Sequence, residues 1–129
     1  MVVSNHSVTV IIPSVRNHEE LDIVLKGLSN QTYSGPCEIV VVGPTNDPGK
    51  KICEKNNIQF IDDEGSRTRA DACNIAINGT ESELILFTDD DVIVPNDWVE
   101  KLVSWFSIEE VSGVGGPNFA PVKESTMWQ

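Results

Sequence analysis

Basic residues are scarce in this sequence. Nine Lys and Arg stand against 20 Asp and Glu in 129 residues, a formal net charge of −11 at pH 7. A nucleic-acid surface needs a basic patch that so few cations do not supply, so no nucleic-acid partner is expected. Cysteine is also scarce. Cys37, Cys53 and Cys73 are an odd number without a CxxC pair, which argues against a disulfide frame or zinc site and for buried free thiols in a reducing cytosol. No apolar run approaches the length of a membrane span, no N-terminal stretch reads as a signal peptide, and there are no repeats or low-complexity linkers. A cytoplasmic location is expected, with membrane association reserved for a longer form.

The residues present, 40% hydrophobic and 22% charged, describe an ordinary globular domain, and the length suits one domain over residues 1–129. Val8 to Ile12 form an apolar, β-rich run closed by Pro13. Leu21, Val24, Leu25 and Leu28 follow at helical spacing, with Asn17 as a candidate N-cap. After the break at Ser34-Gly35-Pro36, Glu38 to Val42 reads as a second buried strand, and Gly43 to Gly49 as a loop. A helix near Lys50 to Asn56 leads to a third strand at Ile58 to Ile61. The Asp62-Asp63-Glu64-Gly65 loop then precedes a helix from Thr68 to Asn78, with Ala72, Ile75 and Ala76 facing inward and Gly79 ending it. Leu84 to Phe87 is a fourth strand, Pro95-Asn96-Asp97 opens a helix carrying Trp98, Leu102, Val103 and Phe106, and Val111 to Gly116 reads as a fifth strand. Strand alternating with helix predicts an α/β fold: an open, mainly parallel, doubly wound sheet with helices on both faces.

The chemistry concentrates where Leu84-Ile85-Leu86-Phe87 runs into Thr88-Asp89-Asp90-Asp91. The apolar run reads as a strand buried on both faces. Side-chain alternation would put Asp89 and Asp91 on one side and Asp90 on the other. Three carboxylates at one strand end repel one another unless a cation joins them, and hard ions such as Mn²⁺ or Mg²⁺ favour such oxygens while leaving positions for phosphates. A solvated acidic loop is the bland alternative. Placement disfavours it, because ligands of open α/β sheets bind outside the carboxyl ends of strands.

Val8-Thr9-Val10-Ile11-Ile12-Pro13-Ser14, Leu28-Ser29-Asn30-Gln31-Thr32-Tyr33, Glu38 to Val42 and Phe87 to Asp91 occur in an order that resembles the large, mostly inverting glycosyltransferase family with the GT-A fold (family 2 type). Phe87 to Asp91 looks like its DXD motif. Asn96-Asp97-Trp98-Val99 and Gly113 to Pro121 look like the segments that come after that motif in the family. The resemblance implies a nucleotide-sugar donor, usually a UDP-sugar, and transfer to the hydroxyl of a saccharide or lipid acceptor with Mn²⁺ or Mg²⁺. It implies metal ligands at Asp89 and Asp91, and donor contacts from Pro13, Ser14, Arg16, Gly43, Asp47, Asp63, Arg69, Asp89 and Asp90. The sequence departs from the family at Gly43-Pro44, where an Asp normally reads the uracil; Asp47 or Asp63 is the expected substitute. Val15-Arg16 replaces the usual Tyr-Asn. The family's catalytic base comes after the equivalent of Gln129, so the base is expected beyond this chain, which reads as the donor-binding half.

Other readings fit less well. A phospho-acceptor receiver domain needs an acidic pair after the first strand, where Pro13-Ser14-Val15-Arg16 stands, and a nucleotidyltransferase needs a Gly-rich basic loop there. A non-catalytic nucleotide-sugar-binding module shares every donor-side feature. His6 and His18 read as surface residues. Apolar Phe119, Met127 and Trp128 are expected to leave a surface that promotes homo-oligomers.

Overall fold

The computed structural model describes residues 5–16 and 19–119. In chain order it runs β1 (Val8–Pro13), α1 (Glu19–Ser29), β2 (Cys37–Gly43), α2 (Gly49–Lys55), β3 (Gln59–Asp62), α3 (Arg69–Asn78), β4 (Leu84–Phe87) and α4 (Trp98–Ser104), continued by a 3-10 turn at Trp105–Ser107. The strands form one sheet in the order β3-β2-β1-β4, and each neighbouring pair is parallel. Parallel neighbours need a crossover, and each crossover here carries a helix.

Alternation along β1 divides the core. Val8, Val10 and Ile12 pack with Leu21, Val24, Leu25 and Leu28 of α1, Cys53 of α2, and Val99 and Val103 of α4. Ile11, Val40 and Val42 pack on the opposite face against Ala72 and Ala76 of α3. Helices therefore cover both faces, as the strand–helix order requires. Leu21 and Leu25 are 0% exposed, worth about 2 kcal/mol each from water exclusion. Thr9 is equally buried, but its hydroxyl hydrogen-bonds with those of Thr80 (2.7 Å) and Ser82 (2.6 Å), so no polar atom is stranded there.

The Asn30-Gln31-Thr32-Tyr33 stretch acts as a clasp. The Gln31 side chain donates to the Pro95 carbonyl (2.7 Å) and accepts from the Val99 amide (2.9 Å), and the Thr32 hydroxyl donates to Glu100 (2.6 Å). Gln31 thus satisfies a first-turn amide of α4 that Asp97 does not cap, since Asp97 instead pairs with Lys101 (2.9 Å). This fixes α4, and with it the far end of the loop that starts at Asp89.

Several details differ from the sequence expectations. Val111 to Gly116 forms no strand; Gly113, Gly115 and Gly116 have open space around them, and no strand among the described residues pairs with the segment. β4 is not buried on both faces. Among the described residues it lies at the sheet edge, and Phe87 is 49% exposed. Cys37 is exposed because it opens β2 at the uncovered amino end of the sheet, whereas Cys53 is buried as expected. Burial pushes the Cys53 thiol up to about 11, with Asp47 and Glu54 adding repulsion. On α3 the residues packed on the core are Ala72, Cys73, Ala76 and Ile77, and Ile75 is not among them. Asn17, His18, Met127 and Trp128 lie outside the described residues.

Candidate functional site

The site is built from the carboxyl ends of parallel strands. Beyond Pro13 the chain stays attached to β2, the Ser14 amide donating to the Val42 carbonyl (2.9 Å). A side chain at Gly43 would run into the Ser14 carbonyl, so this close approach requires glycine. Arg16 adopts a left-handed backbone (φ 59°), and its amide donates to Asp47 Oδ1 (2.6 Å). Asp47 Oδ2 accepts from the Gly49 amide (2.9 Å). Asp47, 7% exposed, ties the loop after β1 to the start of α2 with both oxygens occupied.

At the end of β3, the Asp63 amide donates to the Gly43 carbonyl (2.9 Å) and its carboxylate accepts from the Gly65 amide (3.0 Å). The turn that permits this passes through two left-handed residues, Glu64 (φ 54°) and Gly65 (φ 75°). Thr68 then caps α3, accepting from the Asp71 amide (3.1 Å). Arg69 opens that ten-residue helix and pairs with Asp89. Both partners are at least half exposed, so the pair contributes little stability and is easily exchanged.

The aspartate triplet begins two residues past the end of β4, after Thr88. The Thr88 amide still donates to Ile11 (3.3 Å), but the strand has ended, so strict alternation does not govern Asp89 to Asp91. Asp90 accepts a hydrogen bond from the Ser14 hydroxyl (2.7 Å), joining the ends of β1 and β4, while Asp89 and Asp91 are exposed.

These elements enclose a cleft of about 330 Å³. Five of the expected residues line it: Pro13, Ser14, Asp63, Arg69 and Asp90. Arg16, Gly43, Asp47, Asp89 and Asp91 do not, although Gly43 and Asp47 shape the loops and Asp89 holds Arg69. Val15, Val42, Ser66, Thr68 and Ala72 also line the cleft and were not anticipated; Arg67 lines it too, beside the helix cap. Thr68 before a helical run was a readable cap signal, whereas the apolar wall depends on which strand face meets α3. The amides at the N-terminus of α3 and two arginines favour an anion here. Burial raises the nearby Cys73 thiol despite the opposing charge of Arg69, so a protonated side chain, and no thiolate nucleophile, is expected.

A profile of the family Glycosyl transferase family 2 matches residues 9–128. The chain belongs to this family. This family 2 chain is 32% identical over 125 residues to an N-acetylglucosaminyltransferase of Azorhizobium caulinodans, covering 91% of this chain and 32% of that protein. Its fold is similar to a mannosyltransferase of Pyrobaculum calidifontis in complex with GDP-Man and Mn²⁺ (TM-score 0.76, 23% identity, 84% of this chain and 34% of that one). It is also similar to glucosyl-3-phosphoglycerate synthase of Mycobacterium tuberculosis in complex with Mn²⁺, UDP and glucosyl-3-phosphoglycerate (TM-score 0.71, 15% identity, 81% and 41%). The chain spans about a third of the length of the curated relative.

Among the described residues no three His, Cys, Asp or Glu side chains converge as a metal cage. The available donors are instead the carboxylates at the end of β4, one engaged with Arg69 and one with Ser14. That set fits an ion held by one or two carboxylates and completed by ligand phosphates, which is the habit of Mg²⁺ and related ions.

Proposed function

We propose that this chain binds the donor of a sugar-transfer reaction: a nucleotide-sugar, with a UDP-sugar as the first candidate, whose sugar passes to a saccharide or lipid hydroxyl. The observation that carries this reading is the convergence in one cleft of the β1 loop, the N-terminus of α3 and Asp90 after β4, with Asp89 tied to the cleft through Arg69. Base and ribose lie against Pro13 and Ser14, and the diphosphate lies toward Arg69 and the aspartates. Asp89-Asp90-Asp91 acts as the DXD motif, with Asp89 and Asp91 holding a divalent ion that, when bound, neutralises charge developing on the leaving nucleoside diphosphate.

The residues present divide the remaining work. Arg69, released from Asp89, offers its planar guanidinium to a diphosphate oxygen, exchanging one weak surface pair for a charge-assisted contact. Ser14 keeps Asp90 turned to the β1 side, so the triplet cannot collapse onto one point. No residue of this chain is assigned as the base that activates the acceptor.

Calorimetry with UDP, with and without Mn²⁺, tests the reading. We expect metal-dependent binding by the chain, lost in Asp91→Asn while the melting temperature changes little, because removing one charge from an exposed acidic triplet relieves repulsion. Unchanged affinity in that variant would remove Asp91 from the metal site. Nucleotide binding without donor turnover is the expected outcome for a chain with no assigned base, and robust turnover by this chain would place a base within it.

A further inference from the structure

The three carboxylates after β4 stand in three different states. Asp90 is held by the Ser14 hydroxyl (2.7 Å), and Asp91 has no hydrogen-bond or ion-pair partner among the described residues. Asp89 is paired with Arg69, whose guanidinium donates to Oδ1. Arg69 lines the cleft and Asp89 does not, so the pair reaches from the cleft wall to its rim. Arg67 lines the same wall two residues earlier and makes no ion pair among the described residues. Of two neighbouring cations, one is engaged with the triplet and the other is not.

Resting on the nucleotide-binding reading above, we infer that Arg69 is a placeholder for the divalent ion: its pair with Asp89 withholds that carboxylate from the ion, and breaking the pair couples ion binding to nucleotide binding. Asp89 can turn its oxygens to a guanidinium or to a divalent ion, but two cations at one carboxylate repel each other. An ion arriving alone finds Asp89 occupied, and Arg69, once displaced, is left as an unpaired charge beside it. A diphosphate arriving alone draws Arg69 to itself and leaves three carboxylates near its own negative oxygens. Either ligand alone must break the pair, and the second to arrive finds it already open. Such coupling is reciprocal, so nucleotide tightens ion binding by the same factor as the ion tightens nucleotide binding. Both partners are at least half exposed, so the latch is weak: it favours joint binding without blocking the site.

The test titrates Mn²⁺ into the chain and into Arg69→Ala and Arg67→Ala, each with and without UDP. Free Mn²⁺ is read by electron paramagnetic resonance and UDP binding by calorimetry. Arg69→Ala should bind Mn²⁺ alone about two- to fivefold tighter than the parent, the scale of an exposed ion pair, while binding UDP more weakly. The factor by which UDP tightens Mn²⁺ should fall in that variant by a similar amount. Arg67→Ala should weaken UDP but leave the affinity for Mn²⁺ alone as it is in the parent. Partial loss of fold weakens both ligands, so it does not imitate shifts of opposite sign. Mn²⁺ binding alone that is no tighter in Arg69→Ala, whether both chains bind the ion or neither does at millimolar Mn²⁺, overturns the placeholder. Equal tightening in Arg67→Ala overturns it too, because the effect would then be one of overall charge. In either case, UDP binding by the parent with Mn²⁺ leaves the nucleotide reading standing, whereas its absence overturns both.

Discussion

Asp47 and Asp63 are hidden to the same degree, 7% and 6% exposed, and each follows the end of a strand. They differ in hydrogen bonding. Asp47 gives one oxygen to the Arg16 amide and the other to the Gly49 amide, whereas Asp63 gives one to Gly65 and turns the other to the cleft. Burial alone says that both carboxylates cost free energy to desolvate. Counting their partners separates a carboxylate spent wholly on the fold from one that keeps an oxygen turned to the cleft.

The contrast can be broken most sharply at Asp47. Asp47→Ala strands two amides and frees the left-handed Arg16, so we expect a loss of about 3 kcal/mol, read as a clear drop in the thermal or urea midpoint. If Asp47→Ala melts with the parent, Asp47 is no strut. Gly43→Ala attacks the same junction from the other strand. Its methyl would meet the Ser14 carbonyl, which is backbone and cannot rotate away, so a loss of about 2 kcal/mol is expected in denaturant titration. Asp63→Asn should move stability by less than about 1 kcal/mol, and upward if at all, because it removes a buried charge that lacks a full set of partners. Destabilisation as large as that of Asp47→Ala would show that the two residues do the same job.

A third aspartate sharpens the comparison at low pH. Asp22 on α1 accepts from Asn56 (2.8 Å) and Lys26 (2.8 Å), with Lys55 at 3.6 Å. The Asn56 hydrogen bond, followed by that from Lys26, holds its carboxyl down at about 2 against an ordinary value of 3.8. A depressed carboxyl stabilises the fold above its ordinary value and loses that contribution as pH falls toward the folded one. The melting difference between the parent and Asp22→Asn should therefore be present at pH 6 and vanish between about pH 4 and pH 2. A difference that persists at pH 2 would point to packing in place of charge.

Much of the fold was legible from one-dimensional pattern. Unbroken apolar strands alternating with amphipathic helices leave few options besides a parallel sheet, and the spacing of Leu21, Val24, Leu25 and Leu28 matches the buried stripe of α1. The misplaced fifth strand shows the limit. Val111 and Val114 have strand-like chemistry, but a strand forms only if another strand is there to pair with it, and the glycines between them add no side chain to pack. Phe87 and Cys37 failed for the same kind of reason, since edge position is a property of the assembled sheet. At the cleft, Pro13, Ser14, Arg69 and Asp90 were named through the family resemblance, and the convergence of strand ends in open α/β sheets agrees with where they lie. What separates Asp47 from Asp63 could not, because it depends on amides brought in by the loop after β1, the start of α2 and the turn after β3. Gln31 looked like a family signature; its work as a substitute cap for α4 emerges only once α1 and α4 lie side by side.

The strand order also sets a sequence of assembly. β1 pairs on one side with a strand that begins at Cys37, and β2 with one that begins at Gln59, so three strands can zip together through short crossovers. The partner on the other side of β1 begins only at Leu84. Closing that longer loop costs more chain entropy, and during synthesis the segment emerges after the rest of the sheet. β1 must therefore wait with one edge bare, and the aspartate-bearing rim of the cleft is the last to be laid down. In pulse-labelled hydrogen exchange, the amides of Leu86 and Thr88 should gain protection after those of Val40 to Val42. A nascent chain stalled short of Leu84 would expose the open side of β1 to any other strand within reach.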